Sequence, residues 1–392
     1  MLKKRYLEAF IAEDINKKMA FVGGPRQVGK TTLAAAIGNL RATPTQYLTW
    51  DRRADREIIR QEKFAGDAGL IIFDELHKYR SWKNYLKGVY DTIHNRAAII
   101  VTGSARLDLY RRGGDSLFGR YHFFRLHPFS VAELAQPLPR LIPVHGDLAI
   151  SGAADSLPHF DDLWRWGGFP EPLLSRDDRT HRRWQNERID RLIKEDIRDV
   201  ELVRDLSGLE ILSAVLPAKV GSLLSINALR GDIGVAHKTA ALWVDILERF
   251  YYHFRIYPWQ TTLVKSLRKE PKLYLWDWSA LADDGKKLEN MVASHLLKLV
   301  HFLVDTQGYK ADLRFLRDIE GREVDFVVTV DNQPWFAVEV KLTDQAVTPA
   351  LNYFQERITI PYIYQVIKTP GVDFIQKSTR VISADRFLSW LV

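Results

Sequence analysis

The sequence predicts an α/β protein with a parallel sheet covered by helices at the start, a helical middle, and a second α/β region at the end. Three observations predict it. Residues 1–135 alternate short β-like runs with helical patterns, residues 160–257 read as nearly all helix, and strands and helices mix again from Leu273 onward. The expected domains are therefore 1–135, 136–260 and 261–392 of 392 residues, two or three domains being ordinary for that length.

Composition narrows the class. The apolar fraction of 46% and charged fraction of 27% supply enough apolar surface for packed cores. The absence of cysteine excludes a disulfide scaffold, a thiolate zinc site and a cysteine nucleophile. It also fits a reducing compartment. A net charge of +7 tolerates nucleic acid or an anionic surface as partner without demanding either. The opening stretch mixes acids and bases, so it does not read as an export signal. No run of apolar residues is long enough to span a bilayer. The expectation is a cytoplasmic protein without membrane contact.

The β-like runs of the first region are Met19–Gly23, Gln46–Trp50, Gly69–Asp74, Ala97–Thr102 and Tyr121–Leu126. Between the first run and a helix expected over Thr32–Leu40 lies Gly24-Pro25-Arg26-Gln27-Val28-Gly29-Lys30-Thr31, followed by Thr32. It fits G-x-x-x-x-G-K-[ST] in full. Glycine lets successive backbone N–H groups face one anion, and the helix N-terminus favours negative charge. Lys30 supplies a point charge for β- and γ-phosphates, and Thr31 offers a hydroxyl to Mg²⁺.

The third run ends in Asp74-Glu75. An aspartate there can hold Mg²⁺ through water, and the glutamate can orient and deprotonate an attacking water. Alone, such a pair is more often a helix cap. The fourth run ends in Thr102-Gly103-Ser104, where Ser104 can meet a γ-phosphate or the lytic water. A helical stretch, Ala105–Leu117, follows. Arg120, after Gly119, can reach the nucleotide of a neighbouring subunit and stabilise transition-state charge. The plainer reading is a surface arginine in a stretch that also holds Arg106, Arg111 and Arg112.

Pro137, Pro139 and Pro143 break the pattern, and a small-residue loop follows at Ser151–Ser156. In the middle region the helix Arg179–Arg204 carries nearly balanced charge. It reads as a solvated face laced with ion pairs. Leu209–Val220, Ser225–Leu229 (ended near Gly231 and Gly234), Lys238–Phe250 and the strand Tyr251–Tyr257 follow the order of a winged helix-turn-helix. His237, Lys238, Thr239 and Trp243 lie near the start of its recognition helix, which is poor in bases for gripping phosphates. Pro258 and the basic segment Lys265–Lys272 read as a second connection.

At the end, Glu323–Val330 and Pro334–Lys341 alternate with period two around Asp331-Asn332-Gln333. Folding about Asn332 sets Asp325 opposite Glu339, Val324 opposite Val340, Phe326 opposite Val338 and Val328 opposite Phe336. The opposed carboxylates repel, and a divalent cation or Lys341 relieves that repulsion. A charged solvent face is the plainer reading.

The strings GPRQVGKTT, LIIFDELHKYRSW, VTGSARL and LFGRYHFFRLHPFSVAEL resemble the AAA-type ATPase module of a large prokaryotic family, and GGFPEPLL and KLYLWDWSAL resemble its later segments. In that family the module precedes a winged-helix region and a C-terminal domain similar to restriction endonucleases. The resemblance implies ATP and Mg²⁺ as cofactors, Ser104 as first sensor, Arg120 as arginine finger, and a homo-oligomer such as a hexameric ring. The lid residue is left open among Arg182, Arg183 and Arg191. The D…E-x-K hairpin resembles the PD-(D/E)XK nuclease core. That resemblance implies Mg²⁺ on Asp325 and Glu339, an extra acid in Glu289 on a helix beginning near Leu288, and Lys341 positioning the nucleophilic water. The implied function is ATP hydrolysis coupled to binding, remodelling or processing of DNA, branched DNA included. The alternative is a slow nucleotide-dependent switch whose nuclease-like domain is inactive and serves protein interaction.

Overall fold

The computed structural model describes residues 3–103, 117–135, 142–148, 150, 156–198, 203, 205–260, 269–343 and 346–392. The chain forms two compact units, Met1–His127 and Pro128–Val392. Ser104, the stretch 105–116 with Arg106, Arg111 and Arg112, Pro137, Pro139, the loop 151–155 and residues 265–268 lie outside the described residues.

In the first unit the strands are β1 (Met19–Gly23), β2 (Thr45–Thr49), β3 (Leu70–Asp74), β4 (Ala98–Thr102) and β5 (Tyr121–Arg125). They form one sheet of order β2-β3-β4-β1-β5, and every pairing is parallel. The five expected runs are thus all strands. Residues 19–23 of β1 and 70–73 of β3 are buried throughout, the signature of strands covered on both faces. In the edge strand β2 only Leu48 is buried. Helices α1 (Glu8–Asp14), α2 (Lys30–Asn39), α3 (Arg53–Gln61) and α4 (Trp82–Ile93) accompany the sheet. Phe21 anchors one side of the core, with its ring 4.3 Å from Tyr121 and 5.9 Å from Trp82. Burying an aromatic of this size contributes about 1.5–3 kcal/mol.

Parallel pairing brings the carboxyl ends of β1, β3 and β4 to one edge of the sheet. The register sets Asp74 beside Thr102 and Thr102 beside Val22. Ligands in open α/β sheets bind outside such strand ends.

The second unit carries an eight-stranded mixed sheet, order β12-β13-β11-β10-β9-β8-β6-β7. Its strands are β6 (His253–Pro258), β7 (Lys272–Leu275), β8 (Ala311–Arg317), β9 (Glu323–Val330), β10 (Gln333–Lys341), β11 (Tyr362–Ile367), β12 (Asp373–Gln376) and β13 (Thr379–Ser383). Lys272, expected in a charged connection, instead opens the wholly buried strand β7. The long helix α12 (Asp284–Gln307) lies on this sheet. It buries Leu288, Met291, Val292, Leu296, Leu299 and Leu303. It begins at Asp284, earlier than expected, because Asp283 caps it by accepting the Lys286 N–H at 2.8 Å.

The helical part holds α5 (Val131–Ala135), α6 (Leu157–Trp166), α7 (Pro170–Ser175), α8 (Asp178–Arg191), α9 (Leu206–Val215), α10 (Ile226–Ile233) and α11 (His237–Arg249) before β6. The order α9, α10, α11 and then β6 is as expected; α10 runs through Gly231 and stops, within the expected range, at Gly234, which takes φ +70°. Trp243 faces inward and is buried; a Cβ at Gly208 would lie 2.3 Å from its ring. Along α8, Arg183 and Arg191 both pair with Glu187, the ion-paired face that the charge pattern predicts.

The hairpin differs from its expected form at the turn. Gln333 pairs with Val330, so the loop is only Asp331-Asn332, at φ +51° and +64°. Two residues at positive φ suit the tight hairpin turns that match strand twist. A bulge between Pro334 and Phe336 then adds the residue the shorter loop omits. Phe336 meets Val328 and Val338 meets Phe326, as expected.

Candidate functional site

The loop after β1 needs its glycines. Gly24 sits at φ +139°, and a Cβ there would lie 2.4 Å from the Leu126 carbonyl oxygen. Gly29 has φ +97°, and Gln27 takes φ +62° between them. This alternation curls the backbone into a cradle for an anion at the start of α2. Lys30 is buried, and its Nζ donates to the carbonyls of Gly24 at 2.9 Å and Pro25 at 2.7 Å. The ammonium thus rests on the loop that it would share with a phosphate. Arg5, buried, donates from Nη1 to the Val28 carbonyl at 2.9 Å and from Nη2 to that of His127. It ties the loop to the chain beyond β5.

Asp74 is the hub. Its Oδ2 accepts the Thr31 hydroxyl at 3.1 Å and the Tyr47 hydroxyl at 2.6 Å, and its Oδ1 accepts the Thr102 hydroxyl. Burial first, then the neighbouring carboxylate, pushes the Tyr47 hydroxyl pKa upward and keeps it a donor. Glu75 turns away from the strand at φ +55°, and its N–H donates to the Thr102 carbonyl at 3.0 Å. A non-glycine residue held there stores strain, which is frequent at functional sites. Burial raises the Glu75 pKa, against the pull of Lys78 and Lys30. Its Oε2 lies 3.5 Å from both His77 Nε2 and Lys78 Nζ, and Lys78 also holds Asp51 at 2.7 Å.

The structure therefore brings Thr31, Asp74 and Glu75 to the edge where the loop opens. Gly24, Pro25, Arg26, Gln27, Val28, Gly29 and Lys30 form the loop itself, and Thr32 follows Thr31 in the first turn of α2. Arg120 is engaged within the chain, with Nε 2.9 Å and Nη2 3.2 Å from the two Asp91 oxygens. Tyr47, Thr102 and Arg5 escaped sequence reasoning. Thr102 was legible as the last residue of the strand beside Asp74, whereas spacing alone gives no signal for Tyr47 or Arg5.

The loop fits a magnesium nucleotide: its glycines leave room for close backbone approach, its lysine points into it, and its hydroxyl already touches the acid that would complete a hydrated metal's shell.

In the second unit, Asp325 and Glu339 do face each other. The Asp325 N–H donates to Glu339 Oε2 at 3.4 Å, and Asp325 Oδ2 accepts the Val340 N–H at 2.9 Å. Lys341 Nζ lies 2.7 Å from Glu339 Oε1. Glu289 joins through a residue the sequence did not flag: Lys272 Nζ sits 3.3 Å from Glu289, 3.4 Å from Asp325 and 2.5 Å from Glu323. Tyr274 donates to Glu289 at 2.7 Å, and Gly221, at φ +75°, leaves no room for a Cβ beside that carboxylate. Burial, then Asp325, raises the pKa of both Glu289 and Glu339. Among the described residues no group of three or more His, Cys, Asp or Glu side chains is arranged to hold a metal ion. Nor is any described helix long and apolar enough to cross a membrane.

Comparison with known proteins agrees with the first unit's architecture. Residues 16–135 match the family described as an AAA domain. Residues 157–283 and 284–385 match two families described as domains of unknown function, DUF8612 and DUF4143. Among curated relatives, the uncharacterized protein Rv2008c of Mycobacterium tuberculosis is 25% identical over 343 residues, spanning 84% of this chain and 70% of its own length. The uncharacterized protein MJ1637 of Methanocaldococcus jannaschii is 25% identical over 346 residues, 75% of this chain and 70% of its own. Among solved structures, the RuvB Holliday junction branch migration motor of Thermotoga maritima aligns at 17% identity and TM-score 0.28, over 63% of this chain and 87% of its own. Bacteroides Pif1 bound to single-stranded DNA aligns at 14% identity and TM-score 0.22, over 32% and 42%. Likenesses this low carry no weight for fold or function.

Proposed function

We propose that the chain is a magnesium-dependent ATPase that couples hydrolysis to binding or remodelling DNA. The observation that carries the ATPase reading is the Thr31–Asp74 contact, at 3.1 Å, at the mouth of a complete phosphate loop in an AAA-type domain. Lys30 and the loop N–H groups would hold the phosphates, while Thr31 and Asp74 would hold the metal, which supplies charge neutralisation when bound. Glu75 accepts the proton of the attacking water, and its raised pKa keeps it a competent base rather than an inert carboxylate. Ser104, by its place after β4, senses the γ-phosphate. Arg120 leaves Asp91 to reach a neighbouring subunit's site in a homo-oligomer, a hexameric ring being the form we favour.

DNA as the partner is supported by the opposed Asp325, Glu339 and Lys341, a nuclease-like face on a chain of net charge +7. The winged-helix order of α9 to β6 supplies a second DNA-facing or docking element. A slow nucleotide switch is the second reading, favoured by the ion pairs of Lys272 with the same acid cluster.

The test is an ATPase assay with single-stranded, duplex and branched DNA, with mass measured with and without nucleotide. Stimulation that weakens as salt rises is expected. Hydrolysis that no DNA form stimulates would leave the switch; no heat with magnesium nucleotide would end the ATPase reading.

A further inference from the structure

We propose that Lys272 is the resident cation of the acid cluster in the second unit, and that this cluster neither takes up a divalent metal nor cuts DNA while Lys272 is in place. The inference does not depend on the ATPase reading.

An ammonium has three donors and no acceptor. Lys272 places its Nζ against three different acids, Glu289 at 3.3 Å, Asp325 at 3.4 Å and Glu323 at 2.5 Å. Magnesium requires oxygens at about 2.0–2.1 Å and calcium at about 2.3–2.6 Å. The carboxylates are thus spread to suit a nitrogen. A metal drawn to Asp325 and Glu289 would have to sit against the ammonium or displace it.

Displacement is opposed by the backbone. Ile256 on β6 pairs with Lys272, and on the other side the Leu224 and Gly221 N–H groups donate to the carbonyls of Pro271 at 2.8 Å and Leu273 at 3.1 Å. The side chain is almost wholly buried. Charge is also nearly balanced without a metal. The carboxylates of Glu289, Glu323, Asp325 and Glu339 face Lys272, Lys341 and Arg317, the last lying 2.7 Å from Glu323. Burial lowers the Lys272 pKa, but Asp325, Glu289 and Glu323 outweigh it and leave the group charged.

The experiment titrates Mn²⁺ into the full chain by calorimetry, in an Asp74→Asn background that weakens metal binding at the nucleotide loop. The expected result is no Mn²⁺ heat that Asp325→Asn removes. Lys272→Met should then gain a site at least about tenfold tighter than any in the background chain, lost again with Asp325→Asn, while Lys272→Arg gains none. Asp325-dependent Mn²⁺ binding with Lys272 present would overturn the proposal. So would a cooperatively melting Lys272→Met chain that binds none, or Mg²⁺-dependent DNA cutting abolished by Asp325→Asn. Should Lys272→Met fail to fold, the chain retaining Lys272 decides alone: Asp325-dependent binding or cutting refutes, and the absence of both supports.

Discussion

Thr31 donates its hydroxyl to Asp74 Oδ2 across 3.1 Å, linking the first turn of α2 to the end of β3. The same oxygen takes the Tyr47 hydroxyl, so the acid is aimed before any ligand arrives. Asp74→Asn keeps this shape but removes the charge a hydrated metal needs. The Mg²⁺ concentration for half-maximal hydrolysis should rise by about tenfold or more, near 1.4 kcal/mol. Nucleotide binding without Mg²⁺ should hardly change. Lys30→Ala, by contrast, should abolish binding with or without the metal. Calorimetry under both conditions separates the two, and an unchanged Mg²⁺ requirement in Asp74→Asn would remove the metal role.

Glu75 is held at φ +55° with its side chain half-buried. Glutamine preserves the shape and hydrogen bonding but cannot take a proton. Glu75→Gln should bind ATP as the parent does and turn over about 10²–10⁴ times more slowly. Single-turnover phosphate release measures this, and normal turnover would assign the water to another group.

How much of this was readable beforehand differs from residue to residue. In the first sheet β1, β3 and β4 were legible because they are buried almost throughout and read as unbroken apolar runs. The Asp325–Glu339 opposition was predicted with the wrong turn. A three-residue loop and the observed two-residue loop with a bulge give the same register beyond Phe336, so two errors of one residue cancel. Lys272 was misread because charge in a sequence suggests solvent. Its three acids, Glu289, Glu323 and Asp325, come from distant elements that no local pattern connects. Tyr47 was invisible for the same reason: its partner Asp74 lies on the neighbouring strand.

Arg120 is clasped by Asp91, both carboxylate oxygens engaged. If it acts on a neighbour's nucleotide, Arg120→Ala should bind ATP normally yet lose most turnover, about 10³-fold or more. Mixing that variant with Lys30→Ala should restore part of the activity, since one chain supplies an intact loop and the other an intact arginine. Asp91→Ala should retain or raise turnover. Failure of the mixture to regain any activity, with oligomers formed, would confine Arg120 to its pair with Asp91.

His295 supplies a pH prediction. Its Nδ1–H donates to the Met291 carbonyl at 2.7 Å, and its Nε2 accepts the Val131 N–H at 3.2 Å. Both nitrogens are used by the neutral ring, and a second proton would face the Val131 donor. Burial lowers its pKa from 6.5 to about 3, with Lys298 adding to the shift and Glu133 opposing it. His253, fully buried with Nε2 3.0 Å from the Val244 carbonyl, is lowered to about 4. The unfolded chain binds these protons below its ordinary pKa while the folded chain does not. Stability is therefore full above pH 6.5 and falls as pH drops towards the lowered values. At pH 5 each histidine should cost about 2 kcal/mol. His295→Gln offers a donor and an acceptor without titrating. It should lower stability at pH 7 by about 1 kcal/mol yet shrink the acid-induced loss by about 2 kcal/mol. Urea unfolding at pH 7, 6 and 5 measures both quantities. An acid loss as steep in His295→Gln as in the parent would show that other groups, and not this ring, take up the protons.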